Sequence, residues 1–398
     1  MARSPDERAH KGDASIMSTT LPQTQLQLQS LVTEDGELRL ALVEAPVIAP
    51  SAEQVVVRVE ATPINPSDMG GLFATVNAAT LESAGTPEFP ALKGQIPAAA
   101  LPALRARVGD PLTAGNEGAG VVVAAGDSPE AQRLLGRTVA LTGGEMYQQY
   151  RTVNAQDCLV LEEGTRPADA ASCFVNPLTS QAMVEVMRAE GHTALVHTAA
   201  ASNLGQMLNR ICIADGVDLV NVVRRPEQAA MLREQGAKWV VDSSEPDFEE
   251  KLLEAITATG ATLAFDAIGG GTLASQLLSA MERALSSKAT TFSRYGSATH
   301  KQVYIYGGLD RSPTVLNRSY GMAWGVNGWL LTPFLQRVGV ETAQRLRDRV
   351  AAELLTTFAS TYTDEISLAG MVDLANVAVY SKSTTGRKFL VNPSLGRD

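Results

Sequence analysis

Residues 195–205 read Leu-Val-His-Thr-Ala-Ala-Ala-Ser-Asn-Leu-Gly, an apolar run that gives way to small residues and then to a helix-forming stretch. In the G-x-G-x-x-G register the three glycine positions fall on Ala200, Ser202 and Gly205, so only the last is kept. Glycine serves there for a tight turn, for close backbone approach to a pyrophosphate, and for helix–sheet packing; Ala and Ser are the nearest substitutes in size. A helix beginning near Ser202 offers free N–H groups and a positive dipole end to an anion. On these residues alone an ordinary buried strand–helix turn accounts for the pattern equally well.

The surrounding chain alternates strictly. Strands are expected at 193–198, 217–223, 238–242, 261–266 and 302–306, with helices at 204–215, 226–235, 247–259 and 272–286 between them. Repeated βα units of this length imply a parallel doubly wound sheet, in which ligands sit at the carboxyl ends of strands. Those ends carry Arg224-Arg225, Asp242, Ala267-Ile268-Gly269 and Gly307-Gly308.

Upstream, residues 26–143 read as an antiparallel, barrel-like region. Glu34-Asp35-Gly36 is a hairpin turn, and Val55, Val57 and Val59 alternate with Arg58 and Glu60. Residues 73–112 are rich in Ala, Pro and Leu without periodicity and read as a long loop excursion, functional or mobile. Helices are expected at 167–174 and 178–189, separated by Val175-Asn176-Pro177. Beyond an aromatic stretch at 320–334, a long helix near 341–359 and a last strand at 388–391 follow.

Composition narrows the class. The 398 residues carry 33 basic and 43 acidic side chains, a net charge of −10, which argues against nucleic acid or a membrane surface as the main partner. Cys158, Cys173 and Cys212 are scattered without a C-x-x-C pair, so neither a disulfide framework nor a structural zinc site is indicated, and a cytoplasmic setting fits. No apolar run reaches the ~18 residues of a membrane span. Residues 1–27 are polar, lack an apolar segment and are expected to be a disordered extension, with Met17 an alternative start.

The order and spacing of several motifs carry a resemblance over nearly everything from Leu28 onward. They are Asn65-Pro66-Ser67-Asp68, Gly115-Asn116-Glu117-Gly118-Ala119-Gly120, Val175-Asn176-Pro177-Leu178-Thr179, Gly236–Val241, Phe265–Gly270 and Tyr306-Gly307-Gly308. The chain resembles the zinc-free medium-chain dehydrogenases/reductases, similar to quinone oxidoreductases and enoyl thioester reductases. The resemblance implies an α/β protein with a GroES-like β-barrel catalytic domain, residues 28–176 completed by 331–398, and a Rossmann doubly wound parallel-sheet domain that binds NADP, residues 177–330. It also implies a homodimer.

Zinc-dependent relatives carry cysteine where this chain has Asn65 and histidine where it has Asn116, with the third ligand position near Val175; catalytic zinc needs three such ligands, so no metal is expected. NAD binders place an acid after the second strand of the nucleotide domain. Here the position reads Val223-Arg224-Arg225-Pro226, and two guanidiniums suit the 2′-phosphate of NADPH.

The resemblance further implies Asn65 and Thr179 at the reacting end. It implies cofactor contacts from Ala200, Ser202, Asn203, Leu204, Gly205, Arg224, Arg225, Ala267, Ile268, Gly269, Tyr306, Gly307, Gly308, Trp329, Leu330 and Lys388. Gly328-Trp329-Leu330-Leu331 has an alternative reading as an amphipathic core helix. His197 and His300 are read as structural.

The expected reaction is hydride transfer from NADPH to a quinone or an α,β-unsaturated carbonyl compound. The enoyl reductases' proton-donating tyrosine is missing from Met69–Asn77, which favours a quinone or enone over an enoyl thioester. A 2-enoyl thioester reductase and a catalytically silent NADPH-binding protein are the alternatives.

Overall fold

The computed structural model describes residues 21–382 and 387–396. The expected extension over residues 1–27 lies outside them as far as residue 20, Met17 included. Residues 24–27 correct it, because Thr24–Val32 is a strand paired antiparallel with Glu37–Pro46 along its whole length.

The parallel sheet has six strands in the spatial order Trp239–Asp242, Asp218–Val223, Ala194–Thr198, Leu263–Asp266, Lys301–Ile305, Trp324–Gly328. Numbered along the chain this is 3-2-1-4-5-6, the doubly wound order, and every neighbouring pair is parallel. Helices cover both faces, so the central strands are apolar without alternation; Ala194–Thr198 is buried at all five positions. The chain order reverses between Ala194–Thr198 and Leu263–Asp266, which opens a crevice at their carboxyl ends.

Five expected strands and four expected helices appear within two residues of their expected bounds. The sixth strand, Trp324–Gly328, lies inside the stretch read only as aromatic, and the long helix begins earlier, at Leu331, bending at Gly339 (φ 80°). Val175–Ala189 is a single helix. Pro177 does not interrupt it, because a proline in the first turn lacks an N–H that would have no partner there anyway. The same helix spans the expected domain boundary at 176/177, which is therefore corrected.

The antiparallel part contains two sheets, one in the order Glu82–Gly85, Pro90–Gln95, Glu37–Pro46, Thr24–Val32, Leu112–Thr113. The 73–112 excursion is thus corrected: it supplies the edge strand Glu82–Gly85 and its inner neighbour Pro90–Gln95 to this sheet, and a 3-10 helix over Ala98–Arg107. The other sheet centres on Gln54–Pro63, paired with Glu117–Ala125 and Tyr150–Asn154 and, at its end, with the C-terminal strand Phe389–Val391.

Only the last part of 331–398 returns to this sheet. Leu346, Val350, Leu354 and Phe358 join a core shared by Leu159 and Leu161 of the antiparallel part and by Leu178, Met207 and Leu208, so the stretch from helix Leu331–Ala352 to Phe358 bridges the two parts.

Candidate nucleotide and active site

The opening turn is built on one close approach. A Cβ on Gly205 would lie 2.2 Å from the Ala200 carbonyl oxygen, so the third glycine position admits no side chain. Ala200 is fully buried against Val223, Ala229 and Leu232, a packing role that its methyl fulfils. The residue with left-handed backbone is its neighbour Ala199 (φ 50°), a conformation that costs a non-glycine residue about 1–2 kcal/mol.

Ser202 caps helix Asn203–Asp215, its hydroxyl accepting the Gly205 N–H at 3.1 Å. The N–H groups of Asn203 and Leu204 have no acceptor among the described residues, and they open the helix at the carboxyl edge of the sheet. Asn203 donates from Nδ2 to Ser360 Oγ at 3.1 Å.

Arg224 and Arg225 follow the second strand. Both side chains are exposed, and neither guanidinium has a partner among the described residues; the Arg224 N–H is held by Gln228 Oε1 at 3.2 Å.

Asp266 organises the loop after the fourth strand. Its Oδ1 accepts from Thr198 Oγ1 at 2.7 Å and the Ile268 N–H at 2.9 Å; Oδ2 accepts the Gly269 N–H at 3.1 Å, and Thr198 Oγ1 accepts the Ala267 N–H at 2.8 Å. The amides of Ala267, Ile268 and Gly269 are therefore spent internally. All three carbonyls are also taken, by the N–H groups of Leu309 and Asp310 and by the Thr314 hydroxyl. What these residues offer a ligand is a rigid loop surface. A Cβ on Gly307 would meet the Ala267 oxygen at 2.6 Å, so Gly307 locks the Tyr306–Gly308 loop against it, while Gly308 is exposed.

Tyr306 donates or accepts at 2.7 Å to His197 Nε2. His197 is fully buried, desolvation pulls its pKa down to about 3, and it is neutral at physiological pH. Trp329 turns into the core, edge-on to Phe265 with ring centroids 5.5 Å apart, and Leu330 is exposed just before the helix. The indole of Trp329 is thus a core side chain, which leaves open the backbone contact with the cofactor expected of this segment.

At the junction of the two parts, the fully buried Glu117 joins the other expected residues. Its Oε1 accepts from Asn65 Nδ2 at 2.8 Å, and its Oε2 accepts the N–H groups of Phe174 and Val175, each at 2.8 Å. This fixes Asn65 against the start of the helix that carries Thr179, itself buried. Burial pushes the Glu117 pKa up, opposed by the charge of Lys388 and by those N–H donors.

Asp68 accepts the Asn65 N–H at 2.8 Å and the Asn116 N–H at 3.0 Å; burial, reinforced by the Glu117 charge, raises it to about 7. Asn116 donates from Nδ2 to Ser67 Oγ at 2.9 Å. Two positions where zinc-dependent relatives have metal ligands are thus hydrogen-bonded asparagines. Among the described residues no group of three His, Cys, Asp or Glu side chains could hold a metal ion.

Lys388 donates from Nζ to Ser172 Oγ at 2.7 Å, and that hydroxyl lies 2.8 Å from Tyr362 OH. Burial lowers the ammonium to about 8, against the attraction of Glu117 and Asp68. Sequence reasoning missed Glu117, Asp68, Asp266, Ser172 and Tyr362. Glu117 had a signal, as a lone acid inside a glycine-rich apolar strand; Ser172 and Tyr362 are brought together only by the fold.

The family profile described as "Zinc-binding dehydrogenase" matches residues 203–287. A solved Mesorhizobium loti protein assigned as an NADPH:quinone reductase is 25% identical, with a TM-score of 0.69 over 94% of this chain and 100% of that one. By these matches the chain is similar to the medium-chain dehydrogenase/reductase superfamily. Within that superfamily, 167 residues are 28% identical to a quinone oxidoreductase of Pseudomonas aeruginosa, covering 41% of this chain and 51% of that protein. A further 163-residue stretch is 27% identical to the human synaptic vesicle membrane protein VAT-1 homolog, 40% of this chain and 41% of the relative. The matched stretches thus span about half or less of these curated relatives. No helix among the described residues is long and apolar enough to cross a membrane.

Proposed function

We propose that this chain is a medium-chain dehydrogenase/reductase, an NADPH-dependent, zinc-independent oxidoreductase that reduces a quinone or an α,β-unsaturated carbonyl compound. The observation that carries the reading is the pair of uncommitted N–H groups on Asn203 and Leu204, at the carboxyl edge of a 3-2-1-4-5-6 sheet beside its switch point. Such a helix start fits a pyrophosphate, and the Gly205–Ala200 contact is the packing that a dinucleotide turn requires. Arg224 and Arg225, exposed and unpaired, suit a 2′-phosphate that they can hold by charge-assisted bonds. Lys388, its ammonium held by Ser172 Oγ in the field of Glu117 and Asp68, adds a cation beside the Asn65 cluster, where the resemblance implies a cofactor contact.

Bound NADPH would supply the hydride; the chain's own residues do the rest. Asn65, locked by Glu117, and Thr179 line the reacting end and orient the acceptor. The Ala267–Gly269 and Tyr306–Gly308 loops, rigid through Asp266, form the wall behind the nicotinamide.

No side chain of Met69–Asn77 is a proton donor in the position used by enoyl reductases. Leu72 and Phe73 are buried in the core, Phe73 facing Tyr380 at 6.1 Å. A quinone or enone fits this arrangement, because solvent can protonate the reduced oxygen. The mesorhizobial neighbour's assignment as an NADPH:quinone reductase supports the same acceptor class. The proposal includes a cytoplasmic homodimer, as the resemblance implies.

The test is NADPH oxidation against a panel of benzoquinones, naphthoquinones, enones and 2-enoyl thioesters. Turnover on quinones or enones is expected. Turnover confined to the thioesters would move the assignment to an enoyl reductase, and binding without turnover would make the chain a silent NADPH binder.

A further inference from the structure

One stretch of the chain crosses between the parallel-sheet and antiparallel parts. Arg210 of helix Asn203–Asp215 donates from Nε to the Thr357 carbonyl at 2.8 Å and from Nη2 to that of Ala359 at 3.1 Å. Residues 357–360 therefore run back along this helix to its start, where Ser360 Oγ accepts from Asn203 Nδ2 at 3.1 Å. Three residues on, the Thr363 N–H donates to the Lys388 carbonyl at 2.9 Å, and the next residues pair with the C-terminal strand Phe389–Val391.

Hydroxyl groups make a hydrogen-bonded row across this junction. Tyr362 OH lies 2.8 Å from Ser172 Oγ, and Ser360 is its other hydroxyl partner. Ser172 Oγ accepts from Lys388 Nζ at 2.7 Å, and that ammonium stands 5.2 Å from the centre of the Tyr362 ring, which packs with Ala61, Ala171 and Leu390. The row thus runs from Asn203, whose backbone N–H has no acceptor among the described residues, to a cation in the field of Glu117, the carboxylate that holds Asn65.

The protons of the row do not balance within it. Ser360, Tyr362 and Ser172 carry one hydroxyl proton each, and the links Ser360–Tyr362 and Tyr362–Ser172 use one apiece. Asn203 Nδ2 and Lys388 Nζ only donate into the two ends, so one O–H is left without an acceptor among the described residues. Donation from the Lys388 ammonium makes Ser172 the better donor, and the polarisation passes along the row from Ser172 to Tyr362 to Ser360. The spare O–H then stands on Ser360, which is half-buried beside the Asn203 helix start.

Resting on the NADPH reading above, we propose that Ser360 and Tyr362 belong to the cofactor site. Ser360 Oγ–H donates to an oxygen of the phosphate bound at the Asn203 and Leu204 N–H groups, and Tyr362 and Ser172 pass to it the polarisation set up by Lys388. A phosphate carries several strong acceptor oxygens, so it takes the helix N–H groups and a hydroxyl at once. Tyr362 and Ser172 are positioning residues in this arrangement, because they act through Ser360.

The experiment titrates NADPH, NADH and 2′-AMP by calorimetry into the full chain and into Ser360→Ala, Ser360→Thr, Tyr362→Phe and the double variant Ser360→Ala/Tyr362→Phe. Ser360→Ala is expected to weaken NADPH and NADH alike by about tenfold, the low end for a bond to a charged group, and Ser360→Thr to restore binding. Tyr362→Phe keeps the packed ring and cuts the row, and weakens both dinucleotides by about three- to tenfold. 2′-AMP, which has no pyrophosphate, binds each variant as it binds the wild type. Because the hydroxyls act as one row, the double variant is expected to bind within about twofold of Ser360→Ala. A wild-type chain that binds neither dinucleotide would overturn the NADPH reading and this inference with it. Dinucleotide binding unchanged in Ser360→Ala, 2′-AMP weakened as much as NADPH, or losses that multiply in the double variant would overturn the role of Ser360 and Tyr362 and leave the NADPH reading in place.

Discussion

Replacing Lys388 by methionine isolates the buried cation beside the Asn65 cluster, for which a contact with the bound cofactor is expected. In the free protein burial holds the ammonium at about 8, below its ordinary 10.5. An anion brought against it reverses that shift, so the bound form keeps its proton to higher pH than the free form. Binding therefore takes up a proton above about pH 8, and affinity falls as pH rises; below that pH Lys388 is charged in both states and affinity is flat.

If the contact restores the ordinary value of 10.5, the full linkage amounts to roughly 300-fold in Kd, of which about 80-fold falls between pH 8 and 10.5, at 1.36 kcal/mol per pH unit. Lys388→Met removes one charge-assisted bond worth about 1.5–3 kcal/mol, or about 10–150-fold in Kd at pH 7, and flattens the profile. The assay is NADPH fluorescence titration from pH 7 to 10 on both proteins. A flat wild-type profile, or one that falls in parallel in the variant, would refute the assignment of Lys388.

Four further substitutions probe the turn and its neighbours. Gly205→Ala drives a methyl into the Ala200 oxygen at 2.2 Å, and is expected to cost about 3 kcal/mol or more, read from the denaturant midpoint. Ala199→Gly relieves the φ of 50° and, after the added chain entropy, gains about 0.5–1 kcal/mol, a rise of a few degrees in Tm. Arg224→Ala and Arg225→Ala, at exposed positions, each weaken NADPH by about 5–30-fold and leave NADH unchanged in paired titrations; equal effects on both cofactors would remove the 2′-phosphate from the account.

The doubly wound half was legible because its signals are local: apolar runs of strand length, helices with apolar faces, and a glycine where Gly205 must meet Ala200. Trp324–Gly328 was not, since Trp-Gly-Val-Asn-Gly has neither alternation nor a buried run, and it becomes a strand through pairing with Lys301–Ile305. Glu82–Gly85 and Pro90–Gln95 have weak strand propensity of their own and are recruited by Glu37–Pro46.

The same limit applies to the site. Asn65 and Thr179 were readable as motif residues, but the carboxylate that joins them is 52 residues from one and accepts backbone N–H groups near the other, a contact that only the fold creates.

The central claim is hydride transfer without a metal, and it is tested most directly by NADPH consumption with a benzoquinone after exhaustive chelation, with residual zinc measured by mass spectrometry. The account predicts undiminished turnover at less than about 0.05 zinc per chain, with NADPH preferred over NADH by about tenfold or more. Loss of turnover on chelation that zinc alone restores, or cofactor binding with no turnover on any quinone or enone, would contradict it.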